Sequence, residues 1–266
     1  MTDIDILHHQ QLNDGILRLT LNHEARRNAL SETMMEKLTS AIIAAGQDST
    51  VRVIILAARG KVFCSGHDLK EMTAGRNAPD GGKAYFTKVM ATCSHMMQTI
   101  VNCPKPIIAE VMGIATAAGC QLVASCDLAV AANTAQFSTP GVHIGLFCST
   151  PMVALSRNVS HKHAMEMLLT GDMVSAQRAV EIGLVNQVTE PDHLTEATHI
   201  MAHKIASKSS LTIATGKQAF YQQREMPLAD AYSYASEVMV NNMMAQDAEE
   251  GINAFIEKRP AQWKDQ

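Results

Sequence analysis

Gly113-Ile114-Ala115-Thr116-Ala117-Ala118-Gly119-Cys120-Gln121-Leu122 carries no charge and almost nothing bulky. It follows residues 107–111, read as a strand, and precedes Cys126-Asp127 and a second strand read at residues 128–132. Small residues let a helix pack closely on a strand and let backbone approach a ligand. The first N–H groups of a helix lack internal partners and have the helix dipole behind them. A helix opening near Ala117 therefore offers donors to developing negative charge. Close helix–sheet packing alone would demand the same small residues, so both readings stay open at this point. The apolar stretch at residues 111–126 is too short for a membrane span and is bracketed by Glu110 and Asp127. A strand followed by a helix is expected there.

Upstream, residues 51–57 form a continuous apolar run, the pattern of a strand buried on both faces. From it leaves Gly60-Lys61-Val62-Phe63-Cys64-Ser65-Gly66-His67-Asp68-Leu69-Lys70. Gly66 permits close backbone approach there, and the His67 N–H is a candidate donor to an oxyanion; an ordinary strand-to-helix loop is the alternative. Short extended runs at residues 4–8 and 16–21 flank the turn residues Asn13-Asp14-Gly15. Ser31 reads as an N-cap before Met34, Leu38 and Ile42 at helical spacing. Phe86, Val89, Met90, Cys93, Met97 and Ile100 mark one stripe of a helix over residues 82–102. After Pro191 the residues 193–207, 211–223 and 228–245 read as helices with no strand between them. The expectation is an α/β core over residues 1–192 and a helical region over residues 193–266.

With 22 Lys+Arg against 26 Asp+Glu, the net charge of −4 gives no reason to expect nucleic acid or anionic membrane as partner. The six cysteines form no C-x-x-C pair, as fits reduced thiols, and the first residues show neither signal nor transit character. A cytoplasmic location with no membrane span is expected. His199, His203 and Glu196 share a helix face without completing H-E-x-x-H, so a solvated face is expected there and no metal site. The sequon Asn158-Val159-Ser160 is accidental in that setting.

Read together, Phe63-Cys64-Ser65-Gly66-His67-Asp68-Leu69-Lys70-Glu71, Ala115 through Leu122, Cys126-Asp127, Ala135-Gln136-Phe137, Thr139-Pro140 and the C-terminal Glu250-Gly251-Ile252 run resemble the crotonase (enoyl-CoA hydratase/isomerase) superfamily. Residues 115–127 and 145–151 are similar to one particular branch of it. The resemblance implies a ClpP/crotonase-like α/β fold of stacked ββα turns with a helical C-terminal trimerisation region, assembled as a homotrimer or dimer of trimers. It implies an acyl-CoA thioester as substrate or ligand, with no further cofactor. The thioester oxygen would accept from the N–H groups of His67 and Ala118. Asp68, Leu69 and Lys70 are implied as cleft residues, Arg26, Arg27 and Ala29 as contacts to the adenine and phosphate end, and Lys258 as a C-terminal lysine reaching the phosphates.

One departure matters for chemistry. Hydratases of this superfamily place two glutamates across the double bond, and their positions here hold Gln121 and Gly141. An amide orients water but exchanges no proton near neutral pH, and glycine does neither. Each positioned acid or base contributes about 10²–10⁴-fold, so efficient hydration is not expected. Restoring both glutamates is expected to raise it, with a left-handed backbone at 141 as the obstacle. Decarboxylation, thioester hydrolysis or acyl-CoA binding without turnover are the alternatives. His143 as a substitute base and Cys148 as a nucleophile are weaker candidates, an exposed histidine and a buried inert thiol being the plainer readings.

Overall fold

A computed structural model describes residues 5–266. In chain order the elements are β1 (Leu7–Gln11), β2 (Ile16–Leu21), α1 (Glu32–Gln47), β3 (Val53–Ala58), β4 (Val62–Cys64), α2 (Leu69–Gly75) and α3 (Lys83–Asn102). There follow β5 (Ile107–Val111), β6 (Ile114–Thr116), α4 (Ala118–Ser125), β7 (Leu128–Ala132), β8 (Gln136–Ser138), α5 (Pro151–Asn158), α6 (His161–Thr170), β9 (Val174–Ser175), α7 (Ala176–Glu181) and β10 (Gln187–Thr189). Helices α8 (Leu194–Ala206), α9 (Ser210–Gln223), α10 (Leu228–Met243) and α11 (Gln246–Glu257) complete the chain.

Each ββα turn contributes one strand to each of two sheets. Strands β3, β5 and β7 lie side by side in the sheet ordered β1-β2-β3-β5-β7-β10, while β4, β6 and β8 lie side by side in the sheet ordered β4-β6-β8-β9. Successive turns pair in parallel, with Ile55 opposite Ile108 and Ile108 opposite Leu128 in one sheet, and Ala115 opposite Phe137 in the other. The apolar run of β3 is used on both faces: Ile54 and Leu56 join the main core with α1 and α3, and Val53 and Ile55 pack against α8 through Leu194 and Ala202.

Ser31 caps α1 as expected, accepting from the Met34 N–H at 3.2 Å. The first strand is later than expected, Leu7 to Gln11 rather than residues 4–8; Ile4 lies outside the described residues. Only Leu7 of that strand is buried, so its polar remainder carries no apolar period. The third helix of the tail ends at Met243 and a fourth, α11, begins at Gln246.

Helix α9 buries none of its residues, yet it is fixed to the body by a polar anchor. Lys217 Nζ donates to Asp127 Oδ2 at 2.7 Å and to the Ile100 and Lys105 carbonyls, while Tyr221 donates to Asp127 Oδ1 at 2.9 Å. The Ile107 N–H also donates to Asp127, at 2.7 Å.

Candidate functional site

Strands β4, β6 and β8 run parallel, so residues 65–68, 117–118 and 139–141 all leave the same edge of one small sheet. The C-terminal ends of adjacent parallel strands are where open α/β sheets present ligand-binding groups. Gly66 brings the first two segments into contact. Its φ is +88°, and a Cβ built on it would stand 2.9 Å from the Ala117 Cβ and 3.1 Å from the Ala118 nitrogen. Gly119 does the same at the second residue of α4, where a Cβ would meet the Cys64 carbonyl oxygen at 2.1 Å. Both meanings of the small-residue run therefore hold at once: close packing, and free backbone donors.

Leu30 forms a parallel bridge with His67, its N–H donating to the Gly66 carbonyl at 2.8 Å. Neither His67 N–H nor Ala118 N–H has an acceptor among the described residues. Ala117 itself sits at φ +52° and ψ −122° without being glycine. Such conformations cost on the order of 1–3 kcal/mol and gather at functional sites. The Ala117 N–H donates to the Ser138 carbonyl at 2.9 Å, and its carbonyl accepts from the Gln121 N–H at 3.0 Å.

Gln121 is 5% exposed, and its Oε1 is buried with no partner. Gly141 is buried but is not in the left-handed region, which corrects the expected obstacle. The obstacle is space: a Cβ there would stand 2.8 Å from the Leu146 carbonyl oxygen and 2.9 Å from Cys148 Sγ. The 146–148 turn has filled this position. His143 is exposed and its Nε2 lies 2.8 Å from the Thr170 carbonyl oxygen, away from the strand ends. Cys148 is 7% exposed, and burial pushes its thiol up, which removes it as a ready nucleophile.

The loop at residues 26–30 lies against this edge. The Ser65 N–H donates to the Arg27 carbonyl at 3.2 Å, Arg26 pairs with Asp68 at 2.5 Å, and Ala29 is buried. Asp68 is 7% exposed and fully engaged: it also caps α2 through the Lys70 and Glu71 N–H groups. Burial would raise its pKa, but those N–H donors and Arg26 together hold it below the usual value. Leu69, 57% exposed, and Lys70 project outward. Lys258 is exposed, and no hydrogen bond or ion pair among the described residues joins its side chain to these segments. Its tail is anchored elsewhere, through Asp265 on Arg52 at the start of β3.

Sequence reasoning missed Asn28. It is wholly buried, at φ +51°, and its side chain accepts from the His23 N–H and donates to the Arg59 and Val62 carbonyls. An Asn in left-handed conformation is the available signal, but its partners lie up to 34 residues away. A groove of about 780 Å³ lined by Leu12, Asp14, Ile16, His199 and His203 lies apart from this site.

Residues 11–266 match the family described as Enoyl-CoA hydratase/isomerase. A Rattus norvegicus protein named Enoyl-CoA hydratase domain-containing protein 3, mitochondrial is 50% identical over 250 residues, 94% of this chain and 82% of its own length. A crystal structure of an enoyl-CoA hydratase from Mycobacterium smegmatis superposes with TM-score 0.93 at 48% identity, covering 97% of this chain and 98% of that one. The human enoyl Coenzyme A hydratase domain-containing protein 3 superposes with TM-score 0.91 at 46% identity, covering 97% and 100%. The branch to which residues 115–127 and 145–151 are similar is that of the rat and human proteins.

Proposed function

The chain belongs to the enoyl-CoA hydratase/isomerase family and has the crotonase fold, and from that premise we propose that it binds an acyl-CoA thioester whose carbonyl oxygen accepts from the His67 and Ala118 N–H groups. The observation that carries this reading is the pair of acceptor-free N–H groups on segments held together at Gly66. Two such donors stabilise an enolate or a tetrahedral oxyanion, and backbone donors need no reorganisation as the charge develops. Arg26, Arg27, Ala29, Leu69 and Lys70 flank the entrance to this edge and are assigned to the coenzyme, with Asp68 holding Arg26 in place. Lys258 acts from a neighbouring copy of a homotrimer or dimer of trimers, for which α10 and α11 supply the contact.

With Gln121 and a filled position at 141, no carboxylate flanks the thioester, so hydration of enoyl-CoA is slow. Calorimetric titration with butyryl-CoA and crotonyl-CoA tests the binding, and product analysis with crotonyl-CoA tests the chemistry. No binding of either thioester overturns the reading. Hydration at about 10 s⁻¹ or faster, an ordinary enzyme rate, overturns its second half. Cytoplasmic residence is retained as the proposed location, while the rat relative bears the word mitochondrial in its name; imaging of the tagged chain separates the two. Among the described residues no helix is long and apolar enough to cross a membrane.

A further inference from the structure

Residues 26–32 are tied along their length to residues 59–71. The Asn28 carboxamide nitrogen donates to the Arg59 carbonyl at 2.9 Å and to the Val62 carbonyl at 2.7 Å. The Arg27 carbonyl accepts from the Ser65 N–H at 3.2 Å, and the Leu30 N–H donates to the Gly66 carbonyl at 2.8 Å. Arg26 pairs with Asp68, and the Glu32 N–H donates to the Glu71 carboxylate at 3.1 Å. The place of the 65–67 segment is thus set largely by the loop beside it, with one further tie to β6, where the Thr116 hydroxyl donates to the Ser65 carbonyl at 3.3 Å.

Residue 28 fixes that loop. Arg27 and Asn28 are successive non-glycine residues in the left-handed region, at φ +53° and +51°. Such a conformation persists only where its surroundings over-determine it. Asn28 supplies what is needed: its Oδ1 accepts from the His23 N–H at 2.7 Å, and its own N–H donates to the His23 carbonyl at 3.0 Å, closing the tight turn Glu24–Arg26. With its donations to Arg59 and Val62, the carboxamide uses both of its N–H bonds while wholly buried. Glycine would adopt the same dihedral angles more readily, so the conformation alone calls for no side chain here. The hydrogen bonds do. Residues 24–27 are exposed and residues 28–30 are buried, so the clamp presents Arg26 and Arg27 outward.

We propose that Asn28 is a positioning residue of this site: without touching the ligand, it fixes the spacing between the arginines assigned to the coenzyme and the His67 N–H assigned to the thioester oxygen. This rests on the acyl-CoA reading above. A donor polarises a carbonyl only within hydrogen-bond reach and at a suitable angle, and misplacement by ~1 Å forfeits much of the effect. One buried amide holds both the loop that meets the coenzyme and the segment that meets the carbonyl. A loop freed of that amide still offers its arginines, but the carbonyl no longer arrives in register with its donors.

The test compares the wild type with Asn28→Gly, which permits positive φ and removes the side-chain bonds to His23, Arg59 and Val62. Butyryl-CoA carrying carbon-13 at the thioester carbonyl is bound to each, and the carbonyl resonance is read. Affinities are measured for butyryl-CoA and for S-butyl-coenzyme A, a thioether with no carbonyl oxygen. Donors to that oxygen move the carbon resonance downfield, a signature that lowered stability alone does not touch. The wild type should show the downfield shift and prefer the thioester by about tenfold, the size of one or two net hydrogen bonds. In Asn28→Gly the shift should fall by at least half and the preference to within threefold, with the thioether still bound. Ser209→Ala, which removes the N-cap of α9, should lower stability and keep the wild-type shift. A full shift in ligand-bound Asn28→Gly, an equal loss of shift in Ser209→Ala, or loss of both ligands by a folded Asn28→Gly overturns the proposal and leaves the acyl-CoA reading intact. A wild type that binds butyryl-CoA without a downfield shift overturns the proposal together with the assigned donors, and one that binds neither ligand overturns the whole reading. Should Asn28→Gly not fold, Asn28→Asp carries the same decision, since it keeps the acceptor for the His23 N–H and turns a carboxylate on the Arg59 and Val62 carbonyls.

Discussion

A Cβ built on Gly66 would stand 3.1 Å from the Ala118 nitrogen. The missing side chain of one segment is therefore the space in which the other segment's donor sits. With φ at +88°, residue 66 also has a backbone that L side chains rarely adopt. Gly66→Ala should lower stability by about 1–3 kcal/mol and weaken butyryl-CoA binding at least tenfold, because it pushes the 117–118 turn away. Urea unfolding and calorimetric titration measure the two effects. Unchanged affinity in a folded variant would show that the two segments do not act on one ligand.

Position 141 gives the opposite case, a glycine that is required by space and not by its dihedral angles. Gly141→Glu must displace the Leu146 carbonyl and the Cys148 sulfur, which lie under 3.0 Å from its Cβ position. Overpacking of this kind costs about 1–3 kcal/mol. The double change with Gln121→Glu, expected from sequence to restore hydration, should instead unfold at lower temperature and gain little crotonyl-CoA turnover. A hundredfold gain in hydration with unchanged stability would show that the turn gives way freely.

How much of this was legible beforehand differs by element. Residues 107–111 and 128–132 coincide with β5 and β7, because Pro106, Asp127 and Asn133 give those stretches sharp ends. The strands of the second sheet span only three residues at β4, β6 and β8, too few for a period to show. His67 and Ala118 were legible through the wording of their segments. The bridge between Leu30 and His67 was not, since no local pattern signals it. The Lys217–Asp127–Tyr221 anchor joins residues at least 90 apart, and the filling of position 141 depends on how the 141–148 loop folds back.

Asp68 supplies a pH test of the 26–30 loop. Its folded pKa lies below the ordinary 3.8, so its contribution is fully present above that value and is lost as pH falls through the folded pKa. Asp68→Asn keeps an oxygen to cap α2 and removes the charge facing Arg26, whose side chain is 42% exposed. Solvent screening limits that pair to about 1 kcal/mol or less. The stability gap between wild type and Asp68→Asn at pH 7 should be of that size and should close as pH drops below 3.8. A gap that is constant down to pH 2 would mean that the carboxylate charge contributes nothing.

The tail makes the last prediction. Helices α10 and α11 and the turn between them carry Met239, Val240, Met243, Met244, Phe255 and Ile256, each at least half exposed, while Ala231 is the one buried residue of α10. Exposed apolar positions are ordinary when scattered, but a run of them on two consecutive helices joined by a short turn is not. Stable interfaces remove on the order of 1,200–2,000 Å² from water, and side chains of this size on two helices are of the right kind to supply such a surface. Closed rotational symmetry then requires the receiving surface to lie elsewhere on the same chain if the assembly is a ring of three. The exposed Ile144, Leu146, Phe147 and Val153 near position 141 offer one. Sedimentation of the wild type at micromolar concentration should give a trimer or a multiple of it. Phe255→Glu with Met244→Glu should dissociate it without unfolding the α/β body, since neither residue joins either core cluster. A monomeric wild type would sink this prediction, as would a double variant that remains trimeric.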